Sequence, residues 1–421
     1  MPDGQANLLR RSPRSTVGRI AGRRRTRVSP GVIALVCMLS ALHLLNYLNY
    51  TFVAGYFNPP LARSVLLVAF SLYLIVGSAG NLRFHFSRSW DMYLICGLAI
   101  LSAAYSEDPG KTLKYATWLT LSVYVGTELA SRTRTSNDLF FALLIILLPA
   151  CFLVAAANVT LGPQVTQTGR VFGALGSSHV DSAFALNFIC LFLALRAMPE
   201  HHTRMPKWLR LAMWGCLAWA SYQAVFGLTR SVWLGVTLAL VLYYFRKKLT
   251  IGTLFATFFV AVVIVVAIDF IGLNRILPEA VQDRIEVTEQ RYESGEIDPR
   301  LEGITYALQY ASANPQGSGY AVDSSHNSYM NILLNLGWAG FLLAMIAVAR
   351  SMLLTYRLGF TWFIFFGIGS GALLLHAFFE VQDLPGQANF IPLLLWYAMS
   401  RSRFVRDTAP ARLRRPGFVG T

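Results

Sequence analysis

Long apolar stretches alternate with short polar segments along most of this chain. Most stretches approach the roughly 20 residues that a helix needs to cross the hydrocarbon core of a bilayer. The pattern predicts an all-α polytopic membrane protein with about twelve transmembrane helices. The predicted spans are Val32–Phe52, Leu61–Ala79, Trp90–Ala104, Thr112–Ala130, Leu139–Ala157, His179–Met198, Trp208–Gly227, Ser231–Phe245, Ile251–Ile271, Asn327–Val348, Phe360–His376 and Ala388–Ser400.

The spans divide the chain into tails, helical regions and one large loop. Within the loop, Leu301, Ile304, Leu308 and Ala311 recur at spacings of three and four. This spacing predicts an amphipathic helix over Pro299–Ala313, with proline at its start. The predicted parts are a basic tail at 1–30, transmembrane helices 1–9 at 31–271, the loop at 272–325, transmembrane helices 10–12 at 326–400 and a second basic tail at 401–421.

Composition and charge agree with a membrane location. The 421 residues are 55% hydrophobic and 14% charged, with a mean hydropathy of +0.49. About 27 of the 36 Lys and Arg residues lie in the two tails and in alternate short segments, which is the positive-inside bias expected when both termini are cytoplasmic. The net charge of +15 therefore indicates topology and contact with anionic membrane lipids, and no nucleic-acid partner. The 272–325 loop is then exported.

Cysteine and histidine positions do not predict a metal or cofactor site. His376 and Glu380 are four residues apart and share a helix face, but two ligands are too few for a metal site, so we interpret them as a solvated pair. Every cysteine lies in a predicted span, where it is most simply a small apolar packing residue. The cysteines are Cys37, Cys96, Cys151, Cys190 and Cys216.

One histidine lies at the predicted boundary between the exported loop and the membrane. His326 directly precedes the apolar helix that begins at Asn327. An imidazole there can exchange protons near neutral pH, and it can meet both lipid-anchored and water-borne reactants. A structural role also stays open, because a polar residue at a helix start can cap free N–H groups, although Ser325 and Asn327 fit that task better.

Three arginines run against the positive-inside trend. Arg170, Arg230 and Arg300 are among about nine Lys and Arg residues on the predicted exported side. A guanidinium offers a permanent charge and a planar donor fork that suits phosphate oxygens. The alternative is structural, since each arginine can pair with an acid or reach lipid headgroups.

The order of several short motifs resembles the O-antigen ligase family, which includes Wzy-type O-antigen and exopolysaccharide polymerases. The motifs are Thr229-Arg230-Ser231-x-Trp233 at a span start, Asn314-Pro315-x-Gly317-x-Gly319 in the exported loop, and His326-Asn327 followed by Gly337-x-x-Gly340 in the next helix. The resemblance implies a GT-C-like membrane fold. It also implies glycosyl transfer on the outer face of the bacterial cytoplasmic membrane, without metal or cofactor, from a polyprenyl-diphosphate-linked saccharide to an acceptor hydroxyl.

The same resemblance implies roles for particular residues. His326 is expected to be the catalytic base for the attacking hydroxyl, a contribution typically worth about 10² to 10⁴ in rate. Arg230, Arg300 and, less directly, Arg170 are expected to bind the diphosphate, whose charge grows as the glycosidic bond breaks. Ser325 and Asn327 are expected to support the histidine.

The acceptor distinguishes two activities within this resemblance. A polymerase transfers to a second saccharide-bearing lipid, whereas a ligase transfers to the lipid A core of lipopolysaccharide; polymerase is slightly favoured because such polymerases are more numerous. A transporter or flippase of a lipid-linked or anionic solute is the alternative from another class. It would need charged residues near span centres and similar halves with broken helices. Here the exported charges concentrate at span ends, which favours an enzyme.

Overall fold

A computed structural model of the chain is mostly helical over the residues it describes. The helices are α1 (Leu82–Leu101, continued by a 3-10 turn, Ser102–Ala104), α2 (Pro109–Arg132), α3 (Ser178–Ala197), α4 (Lys207–Phe226), α5 (Arg230–Phe245), α6 (Pro299–Ala313) and α7 (Ser328–Arg357). Two short antiparallel strands, β1 (Gln164–Val165) and β2 (Val171–Phe172), precede α3. The structure describes residues 82–132, 151–152, 154–156, 158–159, 164–165, 171–172, 178–197, 207–227, 229–246, 299–322, 327–357 and 367–368, and the single residues 65, 69, 148 and 374.

Helices α1 to α5 and α7 each overlap a predicted span, and α6 has its predicted bounds. These predictions of helix are confirmed. Within the described part of the chain, α7 is long and apolar enough to cross a membrane, with a hydropathy of 2.2 in its most apolar window. Shorter apolar helices cover Ser182–Ala194 and Ser231–Phe245. Together with the composition, these helices favour a membrane protein; the remaining predicted spans lie wholly or largely outside the described residues.

Two helices extend beyond the spans predicted for them. Helix α1 begins well before Trp90, with a non-helical kink at Ser89 (φ −131°, ψ 36°), and α7 continues past Val348. Arg350 Nη1 on the α7 extension donates to Asp91 Oδ1 on α1 at 3.1 Å, and Asp91 is fully buried. The predicted spans were limited to apolar residues and therefore left out the charged ends of these helices. The ion pair between Arg350 and Asp91 joins the two helices there.

Helix α1 packs against both α2 and α7, and α6 packs on α7. Polar contacts fix the pairing of α1 and α2 near the start of α1. The buried ring of His85 hydrogen-bonds through Nε2 to the buried Glu128 carboxylate, and Tyr93 and Thr127 hydroxyls lie 2.9 Å apart. Buried polar groups cost free energy unless they are paired, so these contacts favour one arrangement of the two helices.

The buried face of α6 agrees with the prediction in part. Ala307 and Ala311 are fully buried, whereas Leu308 is 41% exposed and Tyr306 is 50% exposed. Small side chains let two helices approach closely, so the alanine edge packs inward and the larger residue turns outward. Of the predicted stripe, Ala311 is buried and Ile304 is half-buried, whereas Leu308 turns outward.

The cysteines behave as the sequence predicts. Cys96, Cys151, Cys190 and Cys216 are all buried, and none of the four forms a disulfide within the described residues. They join one apolar cluster with residues such as Phe184, which α3 contributes from its fully buried face. Cys37 lies outside the described part.

Candidate functional site

The residues that carry the predicted chemistry are described only in part. Arg230 is the first residue of α5 and Arg300 is the second residue of α6, and the side chains of both lie outside the described part of the structure. His326, Ser325 and Arg170 lie outside the described residues. Their chemical roles therefore stay predictions, and the structure bears on their surroundings.

Asn327 caps helix α7. Its side-chain Oδ1 accepts the backbone N–H groups of Tyr329 at 2.9 Å and Met330 at 3.3 Å, and its carbonyl accepts the N–H of Asn331 at 2.9 Å. An asparagine at this position satisfies N–H groups that the first helical turn leaves without partners. The capping role that the sequence left open for His326 is filled by its neighbour.

The loop Asn314–Val322, here called the motif loop, is inserted into the backbone hydrogen-bond ladder of α7. The carbonyls of Leu334 and Asn335 accept the N–H groups of Ser318 at 2.9 Å and Gly319 at 3.1 Å. The N–H of Trp338, which a continuous helix would direct to Leu334, donates to Pro315 O at 3.1 Å. The sequence predicted an apolar helix here but not this break, which arises because loop groups replace the helical partners.

Two glycines make this insertion sterically feasible. Gly337 lies at the break with φ 62° and ψ −166°, and a Cβ there would meet the carbonyl oxygen of Pro315 at 1.9 Å. Gly317 has φ 84°, and its Cβ would meet the carbonyl carbon and oxygen of Asn335 at 2.6 Å. Any larger residue would suffer both backbone strain and a clash with main-chain atoms. Gly317 of the loop motif and Gly337 of the helix motif therefore lie side by side and allow the loop to pack against the main chain of α7.

The junction between α1 and α2 holds the other side of the motif loop. The N–H of Tyr320 donates to Ser102 Oγ at 2.9 Å, and Thr112 Oγ1 donates to Tyr320 O at 3.1 Å. The Tyr105 hydroxyl donates to Gln316 O at 2.8 Å. Burial raises the pKa of Tyr320 well above its ordinary value, so its phenol stays neutral. The end of α1 with the link after it, the start of α2, and α7 thus all contact one loop.

Val322, the last residue of the motif loop, is held through both its N–H and its carbonyl oxygen. The N–H of Val322 donates to Asn335 Oδ1 at 3.0 Å, and Lys111 Nζ lies 3.4 Å from Val322 O. The Asn335 side chain is buried and also donates from Nδ2 to Asn331 O at 2.7 Å. With Asn327 at the start of α7, both residues that flank 323–326 are held by named hydrogen bonds.

The motif Thr229-Arg230-Ser231-x-Trp233 lies at a tight hinge between α4 and α5. A Cβ on Gly227 would lie 2.0 Å from Ser182 Oγ on α3, so the hinge lies directly against that helix. The indole N–H of Trp233 donates back to Ala224 O at 2.7 Å and closes the turn. These contacts fix the position of the backbone at Arg230.

Lys111 and Asn335 were not predicted as site residues. Lys111 lies in the first turn of α2 and reaches the motif loop, and Asn335 joins that loop to α7. A signal for Lys111 was present, because it is one of the about nine basic residues on the predicted exported side. Asn335 had no such signal, since a polar residue in an apolar helix does not reveal its partner.

Metal binding is not indicated in the described ranges, where no group of three or more His, Cys, Asp and Glu side chains could hold an ion. His376 and Glu380, the pair considered from sequence, lie outside those ranges. The predictions about metals and cofactors therefore rest on the sequence alone.

Comparisons with known proteins identify no family for this chain. No family model matches it, and no curated protein does. A solved structure similar to this chain is described as "Structural coordination of polymerization and crosslinking by a peptidoglycan synthase complex". The two chains are 16% identical, the match covers 77% of this chain and 98% of that chain, and the TM-score is 0.40. At that level the likeness carries no argument about function.

Proposed function

We propose that this chain is a membrane glycosyltransferase that transfers a saccharide from polyprenyl diphosphate to an acceptor hydroxyl. The supporting observation is the motif loop itself. Two motifs that suggest the O-antigen ligase family, at Asn314–Gly319 and Gly337–Gly340, form one hydrogen-bonded unit although they are separate in sequence. Val322 is the last residue of the motif loop, and Asn327 caps α7. These two residues flank the segment that contains His326. A catalytic side chain requires this kind of fixed support.

The proposed setting is the bacterial cytoplasmic membrane, crossed by about twelve helices. Both termini and the basic segments face the cytoplasm, and the 272–325 loop faces the exterior. The motif loop then lies on the exported side, where a lipid-linked saccharide and a second reactant can meet. The distribution of Lys and Arg supports this orientation independently of the hydrophobic spans.

The proposed reaction is a single displacement at the anomeric carbon of the donor. The acceptor oxygen forms the new bond to that carbon while the bond to the diphosphate oxygen breaks, and polyprenyl diphosphate leaves with the electron pair. His326 takes the proton of the acceptor hydroxyl. Arg230, Arg300 and Arg170 bind the diphosphate and stabilise its growing charge, and no metal or cofactor takes part. Ser325 and Asn327 support the histidine.

Within this reaction we favour a Wzy-type polymerase of O-antigen or exopolysaccharide, whose acceptor is a second lipid-linked saccharide. Ligation to the lipid A core of lipopolysaccharide is the alternative. Both activities use the same donor, so the acceptor distinguishes them: a purified polymerase lengthens the saccharide on its lipid, whereas a ligase consumes donor only when the lipid A core is added.

A transporter is the candidate from another class, and the break in α7 is the observation that favours it. Discontinuous helices in transporters present unwound carbonyls and helix ends to a substrate. Here the carbonyls of Leu334 and Asn335 and the N–H of Trp338 already bond to the motif loop. Irregular backbone at membrane depth is stable when other parts of the chain satisfy it. The break therefore supports a rigid site better than a moving gate.

The central experiment compares His326→Ala with His202→Ala in the purified full-length protein. His202 lies in a predicted cytoplasmic segment, so its loss controls for the removal of a histidine without touching the proposed site. Donor affinity and single-turnover rate are measured together with polyprenyl-diphosphate-linked saccharide. We expect His326→Ala to retain donor affinity and to lose about 10² to 10⁴ in rate, and His202→Ala to retain both.

Two outcomes would contradict the proposal. An unchanged turnover rate in a folded His326→Ala protein would remove the catalytic role of His326. Movement of donor across the membrane by the unaltered protein, without any covalent change in the donor, would indicate a transporter. Accumulation of lengthened lipid-linked product would support the polymerase.

A further inference from the structure

A groove lies between α4 and α5, away from the motif loop. Both helices pack on α3, but they make little contact with each other beyond the hinge that joins them. The space between them has a volume of about 680 Å³, within the range of ligand sites. Its walls are mostly apolar and aromatic, including Phe192, Trp214, Leu217, Trp233 and Leu240.

The groove is open along its length. Trp214 is 49% exposed, Val225 is 54% exposed and Tyr244 is 72% exposed, and all three line it. On helices inside a bilayer, outward-facing apolar side chains contact lipid chains. The groove therefore provides a recess that a hydrocarbon chain can enter sideways from the membrane.

Positive charge is concentrated at one end of the groove. Arg196, on the last turn of α3, lines it directly and is exposed. The Arg246 guanidinium lies 4.3 Å from the ring centroid of Tyr243, another lining residue, and donates to the Tyr243 carbonyl. No Asp or Glu is among the described residues that line the groove. The charge pattern of the chain assigns this end to the cytoplasmic surface.

The groove runs along most of α5. From Trp233 to Tyr244 the helix rises about 16 Å at 1.5 Å per residue, from near the exported hinge to the cytoplasmic end. A chain that enters at the arginine end would therefore extend towards the hinge. Tyr243 and Tyr244 lie where aromatic residues commonly mark the interface.

We propose that this groove binds an anionic glycerophospholipid of the cytoplasmic leaflet. One acyl chain lies between α4 and α5, and the lipid phosphate contacts Arg196 and Arg246. Basic recesses between membrane helices on the cytoplasmic side bind anionic headgroups by the same chemistry. The headgroup site depends on the membrane orientation and not on glycosyl transfer, because Arg196 and Arg246 lie at the cytoplasmic end of the groove and the proposed catalytic groups lie on the exported side.

The test measures binding of palmitoyl-oleoyl phosphatidylglycerol to the full-length protein in detergent by native mass spectrometry. Phosphatidylcholine with the same chains is the neutral comparison, and undecaprenyl phosphate tests an isoprenoid occupant. The variants are Arg196→Gln and Arg246→Gln, with Arg210→Gln as the matched control. Arg210 is an exposed arginine on α4 in the same predicted cytoplasmic segment as Arg196, but it does not line the groove.

We expect each groove variant to weaken phosphatidylglycerol binding by about fivefold and Arg210→Gln to change it by less than about twofold. Thr237→Trp, which fills the groove and retains both arginines, should also weaken binding, and a photoreactive acyl chain should label α4 and α5 in the unaltered protein. Equal losses in all three arginine variants would overturn the proposal, as would equal binding of phosphatidylcholine. Tighter binding of undecaprenyl phosphate than phosphatidylglycerol would assign the groove to an isoprenoid lipid instead, and protein dimers that exclude lipid would assign it to a second copy.

Discussion

Gly317→Ala tests the junction between the motif loop and α7 most directly. The backbone at Gly317 has φ 84°, and an added Cβ would lie 2.6 Å from the carbonyl carbon and oxygen of Asn335. The left-handed conformation alone costs a non-glycine residue roughly 1–2 kcal/mol. The nearest atoms belong to main chain and cannot rotate away, so the loop must move.

Movement of the loop breaks the hydrogen bonds that it makes to α7. The bonds from the N–H groups of Ser318, Gly319 and Trp338 contribute about 1 kcal/mol each. Together with the backbone strain, the docked loop should lose about 4–5 kcal/mol relative to an open form. A loss of even 3 kcal/mol raises the population of the open form more than about 100-fold.

Hydrogen exchange measures this local opening. Peptides that cover 315–322 should exchange more than about 100-fold faster in Gly317→Ala than in the unaltered protein, unless global unfolding becomes the faster route. Gly215→Ala is the matched control, because Gly215 lies in α4 with no atom within 4 Å of an added Cβ. A helical alanine there should be neutral or stabilising by up to about 1 kcal/mol. Equal exchange of 315–322 in both variants would refute the insertion geometry.

The remaining predictions test the arginines, the orientation and the polar link within α7. Arg230→Lys and Arg300→Lys should each lower the turnover rate, since lysine retains charge but loses the donor fork, and full activity in both would reduce them to surface charges. Ser294→Cys should react with an impermeant thiol reagent in intact spheroplasts, whereas labelling only after lysis would reverse the proposed orientation. Asn335→Leu should lower the free energy of unfolding by about 0.5–1.5 kcal/mol, because the N–H of Val322 loses one of its two acceptors, and an unchanged thermal midpoint would contradict that.

The positions of the helices could be predicted from the sequence because they depend on local properties. An apolar stretch such as Ser231–Phe245 has few alternatives to a helix once it is removed from water, since only a helix satisfies its own backbone groups. The proline at the start of Pro299–Ala313 and the turn residues after it likewise set the bounds of α6 locally. The burial of the cysteines followed from the same reasoning.

The contacts between elements could not be predicted in this way. Nothing local to Gly337 shows that Pro315 supplies the acceptor for Trp338, because the partner lies in another segment. The same holds for Asp91 and Arg350, which pair across two helices that are both longer than the apolar spans predicted for them. The outward position of Leu308 on α6 was not predicted, because the close packing of Ala307 and Ala311 depends on the shape of α7.

The sequence by itself determined that this is a mostly helical, apolar chain, and it identified the glycine, histidine and arginine motifs that suggest glycosyl transfer. Only the tertiary structure decided that the motif loop interrupts α7, that Asn327 takes the capping role, and that α4 and α5 leave a groove between them. The physical reason is the distance along the chain over which each interaction acts. Hydrophobicity and backbone propensity act within a few residues, whereas hydrogen bonds and close packing join groups that the chain brings together only on folding.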